Sequence, residues 1–142
     1  IITLKTIAEK LHTTVGELIG ENESLANNPV VYKPDIKFIH QNKSGTLFYL
    51  LSHHDTNKLM DTYLIRFSKA SAIDGFFISA FGQVFSYGLS GEIRFDLDGK
   101  SYALKPGANI YFNAKSQFNA INLSDSISEI IWIQSPLSLI NT

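Results

Sequence analysis

From Asp35 onward, apolar and polar positions alternate with a period of two, and turn residues interrupt the alternation every eight to twelve positions. Successive side chains of a strand point to opposite faces, so this is the signature of strands with one buried face. It predicts strands over IKFIHQ, GTLFYLLS, DTYLIRFS, GFFISAF, VFSYGLS, GEIRFDLDG, KSYALKP, NIYFNA, QFNAINLS and EIIWIQS. Asp98-Gly99, between RFDL and KSYAL, is a strong signal for a two-residue hairpin. Lys105-Pro106-Gly107 marks another turn. Ten short strands with no helix between them predict an antiparallel sandwich or barrel over roughly residues 35 to 136.

The first 22 residues have a different period. In TLKTIAEKL, Leu4, Ile7, Ala8 and Leu11 fall at i, i+3, i+4 and i+7, one face of a helix, with Thr3 as its N-cap. In HTTVGELIG, Thr14 and Glu17 have capping-box spacing, Val15, Leu18 and Ile19 form the apolar face, and Gly20 ends the helix. Asn22 to Pro34 is polar and turn-rich, with Pro29 and Pro34, and reads as a linker. The expected organisation is a helical piece over 1–22, a linker over 23–34 and a β domain over 35–142. The chain begins at Ile1 inside a helical pattern, as a fragment of a longer protein would.

Composition narrows the function classes. A chain of 142 residues with 44% hydrophobic residues, ten Phe and six Tyr can bury a single-domain core. It contains no Cys, which excludes a disulfide framework and a thiolate site and fits a cytoplasmic protein. A formal net charge of −1 gives no whole-chain attraction to nucleic acid or to an acidic membrane. No apolar run approaches the roughly 20 residues that a membrane helix needs, and no signal peptide is visible at the start of the sequence.

The stretch from Gly75 to Asn122 carries the most specific pattern. Ile78-Ser79-Ala80, then Phe81-Gly82-Gln83, then Val84, then six residues, then Gly91 keep the spacing of the first cupin motif, His-x-His, a gap, Glu, six residues, Gly. Pro106-Gly107, then Phe118 and Asn122, keep the spacing of the second, in which the Phe118 position holds a His. The turns thus resemble those of a cupin, while apolar residues stand at Ile78, Ala80, Val84 and Phe118, where that family places metal ligands. At the N-terminus, Leu4, Ile7, Ala8, Leu11, Glu17 and Leu18 match the pattern that closes a repressor-like (XRE-type) helix-turn-helix domain. Taken in this order, the chain resembles a bacterial helix-turn-helix transcriptional regulator with a C-terminal cupin sensor domain. The resemblance implies a double-stranded β-helix preceded by two short α-helices. It also implies a homodimer, because regulators of this kind read two half-sites. The recognition helix of that family lies upstream of these two helices, so DNA contact would belong to a part of the parent protein absent here. Residues 1–22 set Lys5 and Lys10 against Glu9, Glu17 and Glu21, and so cannot supply phosphate contacts.

Strand alternation then names the residues that face the barrel interior. Tyr63, Ile65, Phe76, Ile78, Ala80, Val84, Ser86, Phe112, Phe118, Ala120, Asn122 and Trp132 are the expected lining, with small residues at Ala80, Gly88 and Ala120 leaving room. A mostly apolar, aromatic wall with a few hydroxyls and one amide suits a small, weakly charged ligand. The same residues could instead fill the interior as core.

Other clusters carry less. His53 and His54 are adjacent, so on a strand they point to opposite faces and cannot share one ion; only His12 and His40 remain as further imidazoles. Asp96 and Asp98 share a face but fit a solvated hairpin edge better than a calcium site. Arg66 and Arg94 are expected to point outward. No Gly-rich phosphate loop or nucleophile elbow is present. No His or carboxylate falls on the inward list, and Tyr63 is the only weak acid–base candidate, so neither metal catalysis nor acid–base catalysis is expected, and no cofactor is implied. The expected function is ligand sensing and dimerisation within a DNA-binding regulator. The alternatives are a dimerisation barrel without ligand and, less well supported, a cupin enzyme.

Overall fold

The computed structural model describes residues 29–52, 58–74, 82–113 and 117–135. The two helices expected over 1–22, the strand expected over 75–81 and the His53-His54 pair lie outside the described residues. So do Phe76, Ile78 and Ala80.

Residues 29–32 form no regular element, and a 3₁₀ turn, Lys33–Asp35, precedes the first described strand. Ten strands follow among the described residues: β1 Lys37–Gln41, β2 Leu47–Leu50, β3 Asp61–Phe67, β4 Ala72–Asp74, β5 Gln83–Ser90, β6 Ile93–Leu97, β7 Lys100–Leu104, β8 Asn109–Asn113, β9 Phe118–Asn122 and β10 Ser128–Ser135. They form a six-stranded sheet in the order β1-β2-β3-β10-β5-β8 and a four-stranded sheet in the order β4-β9-β6-β7. Every pairing is antiparallel. Among the described residues there is no α-helix, and no helix is long and apolar enough to cross a membrane.

The strands form where the period-two pattern puts them. In β3 and β10 burial alternates residue by residue, with Tyr63, Ile65 and Phe67 inward from one and Ile130 and Trp132 inward from the other. The Asp98-Gly99 hairpin forms as expected, with φ of 48° and 87°, the two left-handed positions that such a turn demands. At the Lys105–Ala108 turn, Gly107 takes φ 87° after Pro106 and the Ala108 N–H donates to the Lys105 carbonyl.

β4 was not anticipated by the pattern. It is three residues long, and it is held by its surroundings as much as by β9. The Ala72 carbonyl accepts from Asn42 Nδ2 at 2.8 Å, Ser44 Oγ at 2.9 Å and Thr46 Oγ1 at 3.0 Å. The β1–β2 turn thereby caps the strand.

One end of the sandwich is closed tightly. Gly91 has φ +71°, and a Cβ built there would lie 1.8 Å from Ser128 Oγ. Gly99 has φ +87° but nothing within 4 Å of such a Cβ. Gly91→Ala is therefore expected to lose clearly more stability than Gly99→Ala. The latter meets only left-handed strain of about 1 kcal/mol, the former adds a steric clash that pushes the loss beyond about 2 kcal/mol. Urea unfolding of the two variants measures the difference.

Candidate functional site

The interior can be read row by row across the large sheet. Ile65, Ile130 and Gly88 are cross-strand partners, as are Tyr63, Trp132, Ser86 and Ile110, and as are Asp61, Gln134, Val84 and Phe112. Facing them from the small sheet, Phe118, Ala120 and Asn122 alternate inward along β9, and Ile93 and Phe95 along β6. All the expected lining residues within the described segments (Tyr63, Ile65, Val84, Ser86, Phe112, Phe118, Ala120, Asn122 and Trp132) are buried.

The centre between the sheets is a plug of rings. Phe112 and Phe118 have centroids 5.1 Å apart, Phe118 and Trp132 5.6 Å, and Phe112 and Trp132 6.1 Å. Phe95 joins them, stacked on Trp132 at 6.2 Å and edge-on to Phe112 at 6.1 Å. Phe95 was absent from the expected lining. Parity with Ile93 and Leu97 in β6 was the signal that could have found it. The rings touch one another, so at this level side chains fill the space between the sheets.

The room expected at Gly88 is also occupied. A Cβ there would lie 2.5 Å from the Lys105 carbonyl oxygen, so the β7–β8 turn presses its backbone into the position. Gly88 N–H donates to the Ala108 carbonyl, and Gly107 N–H donates to the Gly88 carbonyl. The Ser86 hydroxyl does not address the interior as a free group, because it donates to the Ile131 carbonyl at 2.9 Å.

Asn122 sits at the other end of its strand from Phe118 and works as a knot. Its Oδ1 accepts from Ser124 N–H at 2.9 Å and from Ser128 Oγ at 2.8 Å. Its Nδ2 faces the carbonyls of Phe67 at 3.2 Å, Ser68 at 3.0 Å and Ser126 at 2.8 Å. These contacts tie the β3–β4 turn to the β9–β10 connection.

The structure adds polar residues that the inward list lacked. Asp61 and Gln134 are each 2% exposed, and they are direct cross-strand partners on the row that carries Val84 and Phe112. Gln134 Oε1 accepts from the Trp132 indole N–H at 2.7 Å. Lys58 is also buried, its Nζ closed off from solvent, and the adjacent Leu59 carbonyl accepts from Ser135 Oγ at the end of β10. A carboxylate and an amide thus meet at the Asp61 end of the β3–β10 pair, beside the plug. The expectation that no carboxylate would face inward is corrected. Asp61 has the parity of Tyr63, and Gln134 that of Trp132, but polar residues at strand ends read as caps rather than as lining.

The remaining candidates are spent locally. Asp96 accepts from Ser101 Oγ at 2.6 Å and from Arg94 Nη2 at 3.2 Å, and Asp98 Oδ1 accepts from the Gln117 N–H at 2.9 Å. Arg66 and Arg94 are partly exposed, as expected of outward residues. Among the described residues no three His, Cys, Asp or Glu side chains come together as metal ligands.

Residues 82–134 match the family model for the cupin domain. No curated protein matches the chain. Among solved structures, the cupin domain of an XRE family transcriptional regulator from Enterobacter cloacae superposes with a TM-score of 0.59 at 16% identity, over 65% of this chain and 97% of that one. KdgF from Halomonas sp. gives 0.62 at 14% identity, over 76% and 93%. An RmlC-like cupin from Shewanella frigidimarina gives 0.61 at 16% identity, over 76% and 90%. The described sandwich is a mainly β cupin fold built of antiparallel sheets.

Proposed function

We propose, on the premise of that cupin fold, that the chain is the sensor and dimerisation part of a bacterial DNA-binding transcription regulator, working in the cytoplasm as a homodimer and without catalysis. The helical pattern of residues 1–22 followed by a cupin domain supports the regulator reading. The apolar residues at Val84 and Phe118, where a metal-binding cupin carries ligands, support a barrel that senses without a metal.

One observation carries the sensing. Asp61 and Gln134 are buried as cross-strand partners at one end of the β3–β10 pair, on the row of Val84 and Phe112 and beside a floor of aromatic rings. Apolar surface below and hydrogen-bonding groups above suit a small molecule with one polar head and an apolar body. Phe112, Phe118 and Val84 would take the body, and Asp61 and Gln134 the head.

A thermal-shift screen over small metabolites tests this. A ligand at a hundredfold excess over its Kd adds roughly 2.7 kcal/mol of stability, which raises Tm by several degrees in a domain of this size. The expected result is such a shift in the parent chain and its loss in Asp61→Asn and Gln134→Leu.

A second reading has its own support. The contact among Phe95, Phe112, Phe118 and Trp132 favours a filled barrel that serves dimerisation alone. No stabilising metabolite in a broad panel, with Asp61→Asn behaving as a neutral variant, would favour that reading.

A further inference from the structure

The outer face of the six-stranded sheet carries two adjoining rows rich in apolar and aromatic side chains. One row runs across it through Phe38, Tyr49, Leu64, Ile131 and Tyr87, each the cross-strand partner of the next, and ends at Asn109. The neighbouring row runs from Thr62 through Ile133 and Phe85 to Tyr111. Leu64, Ile131, Ile133, Phe85, Tyr87 and Tyr49 alternate with buried residues that face the other sheet, Tyr111 precedes buried Phe112, and Phe38 extends the row onto the edge strand β1. Phe38 is 54% exposed and Tyr111 62% exposed, while Tyr87 stands at 37%.

Polar residues rim the patch on both sides. Arg66 and Glu129 lie along one margin, paired with each other at 2.9 Å, with the Arg66 guanidinium 5.3 Å from the Tyr49 ring centroid. Gln83, Asn113 and Ser135 lie along the other margin, where Gln83 Nε2 donates to Asn113 Oδ1 and Gln83 Oε1 accepts from the Tyr111 hydroxyl. An aromatic-rich apolar centre inside a polar rim is the anatomy of a protein interface.

We infer that a second copy of this chain covers the face, sheet against sheet. The inference rests on the homodimer reading above and names the surface that makes the dimer. Three observations select this occupant. The first is area. Six strands about 4.8 Å apart and about six residues of ~3.3 Å each make a face of roughly 600 Å², near the ~800 Å² per partner of a standard interface once side-chain relief is counted. The second is charge. A two-fold contact brings a patch onto itself, so a patch of one sign would repel, whereas the only charged residues of these rows and their Arg66–Glu129 margin cancel each other. The third is shape. Strands present a broad pleated face, and two such faces pack at about 10 Å with interleaved side chains. A nucleic-acid or anionic membrane partner would need a cluster of cations, whereas the two rows hold none and their margin holds only Arg66, paired with Glu129.

The test is the oligomeric state of the full 142-residue chain by light scattering at tens of micromolar. The parent chain is expected to be a dimer. Tyr87→Glu and Tyr111→Glu place a carboxylate at exposed positions of the patch, and each is expected to give a folded monomer, with an unchanged far-ultraviolet circular dichroism spectrum. Tyr102→Glu, on the exposed edge strand β7 of the other sheet, is expected to stay dimeric. A dimer that survives both patch variants would overturn the assignment of the face and leave the homodimer reading standing. A parent chain that is monomeric would overturn both.

Discussion

Trp132→Ala is expected to lose about 3–5 kcal/mol of stability, the range for truncating a buried large aromatic. Trp132 is fully buried in the middle of β10, between β3 and β5. Its indole touches Phe112 from its own sheet and Phe95 and Phe118 from the opposite one. Collapse into the void would require the two sheets to approach each other, and the Asn122 knot and the β7–β8 turn hold their spacing at the far end. Most of the cavity therefore persists, which puts the loss at the upper part of the range. Trp132→Phe keeps a ring and gives up the N–H bond to Gln134, so it is expected to lose only about 1–2 kcal/mol. Urea unfolding followed by circular dichroism measures both, with a lower midpoint and an unchanged slope as the expected signature. In the parent chain the same transition is followed by fluorescence, because Trp132 is the single tryptophan and its emission reports the plug itself. A loss near 1 kcal/mol for the alanine variant would mean that the rings do not pack as a unit. The site would then have room at its floor.

Much of the sandwich was legible because alternation is a local property. DTYLIRF and EIIWIQS state their buried faces outright, and Asp98-Gly99 states its turn through the positive φ that few other pairs tolerate. β4 was illegible because three residues with only Ile73 to bury are too short to show a period. Its position is dictated by Asn42, Ser44 and Thr46, some 30 residues earlier in the chain.

The site was legible in part. Parity places Tyr63, Val84, Phe112, Phe118 and Trp132 inside, and it applies equally to Asp61, Gln134 and Phe95: the first two are masked by their polar type at strand ends, whereas type and parity both put Phe95 inside. What no local pattern contains is how the interior closes. The contact of four rings across two sheets depends on rotamers, and the filling of the Gly88 position depends on a backbone turn that arrives from Lys105.

Asn122→Asp separates a structural role for Asn122 from a ligand-facing one, and its effect should depend on pH. The substitution is nearly isosteric, but it replaces the donor Nδ2 with an acceptor in front of three carbonyl oxygens, at a site 4% exposed. An ionised carboxylate there is repelled, and no cation stands among the contacts of the Asn122 amide to compensate. A loss of about 3 kcal/mol or more at neutral pH is expected. Burial and the facing carbonyls would raise the pKa of the new aspartate in the folded state above its unfolded value near 3.9. Protonation then favours the folded state. The deficit is therefore smallest below the unfolded pKa, where one O–H can donate to the Ser126 carbonyl, and it grows as pH rises through the folded pKa. Asn122→Ala removes the same contacts without adding a charge, so its loss should stay level between pH 4 and pH 7 relative to the parent chain. Parallel urea titrations of the two variants across that range decide the matter. Two flat profiles would mean that the aspartate escapes to solvent and that the knot does not hold residue 122 in place.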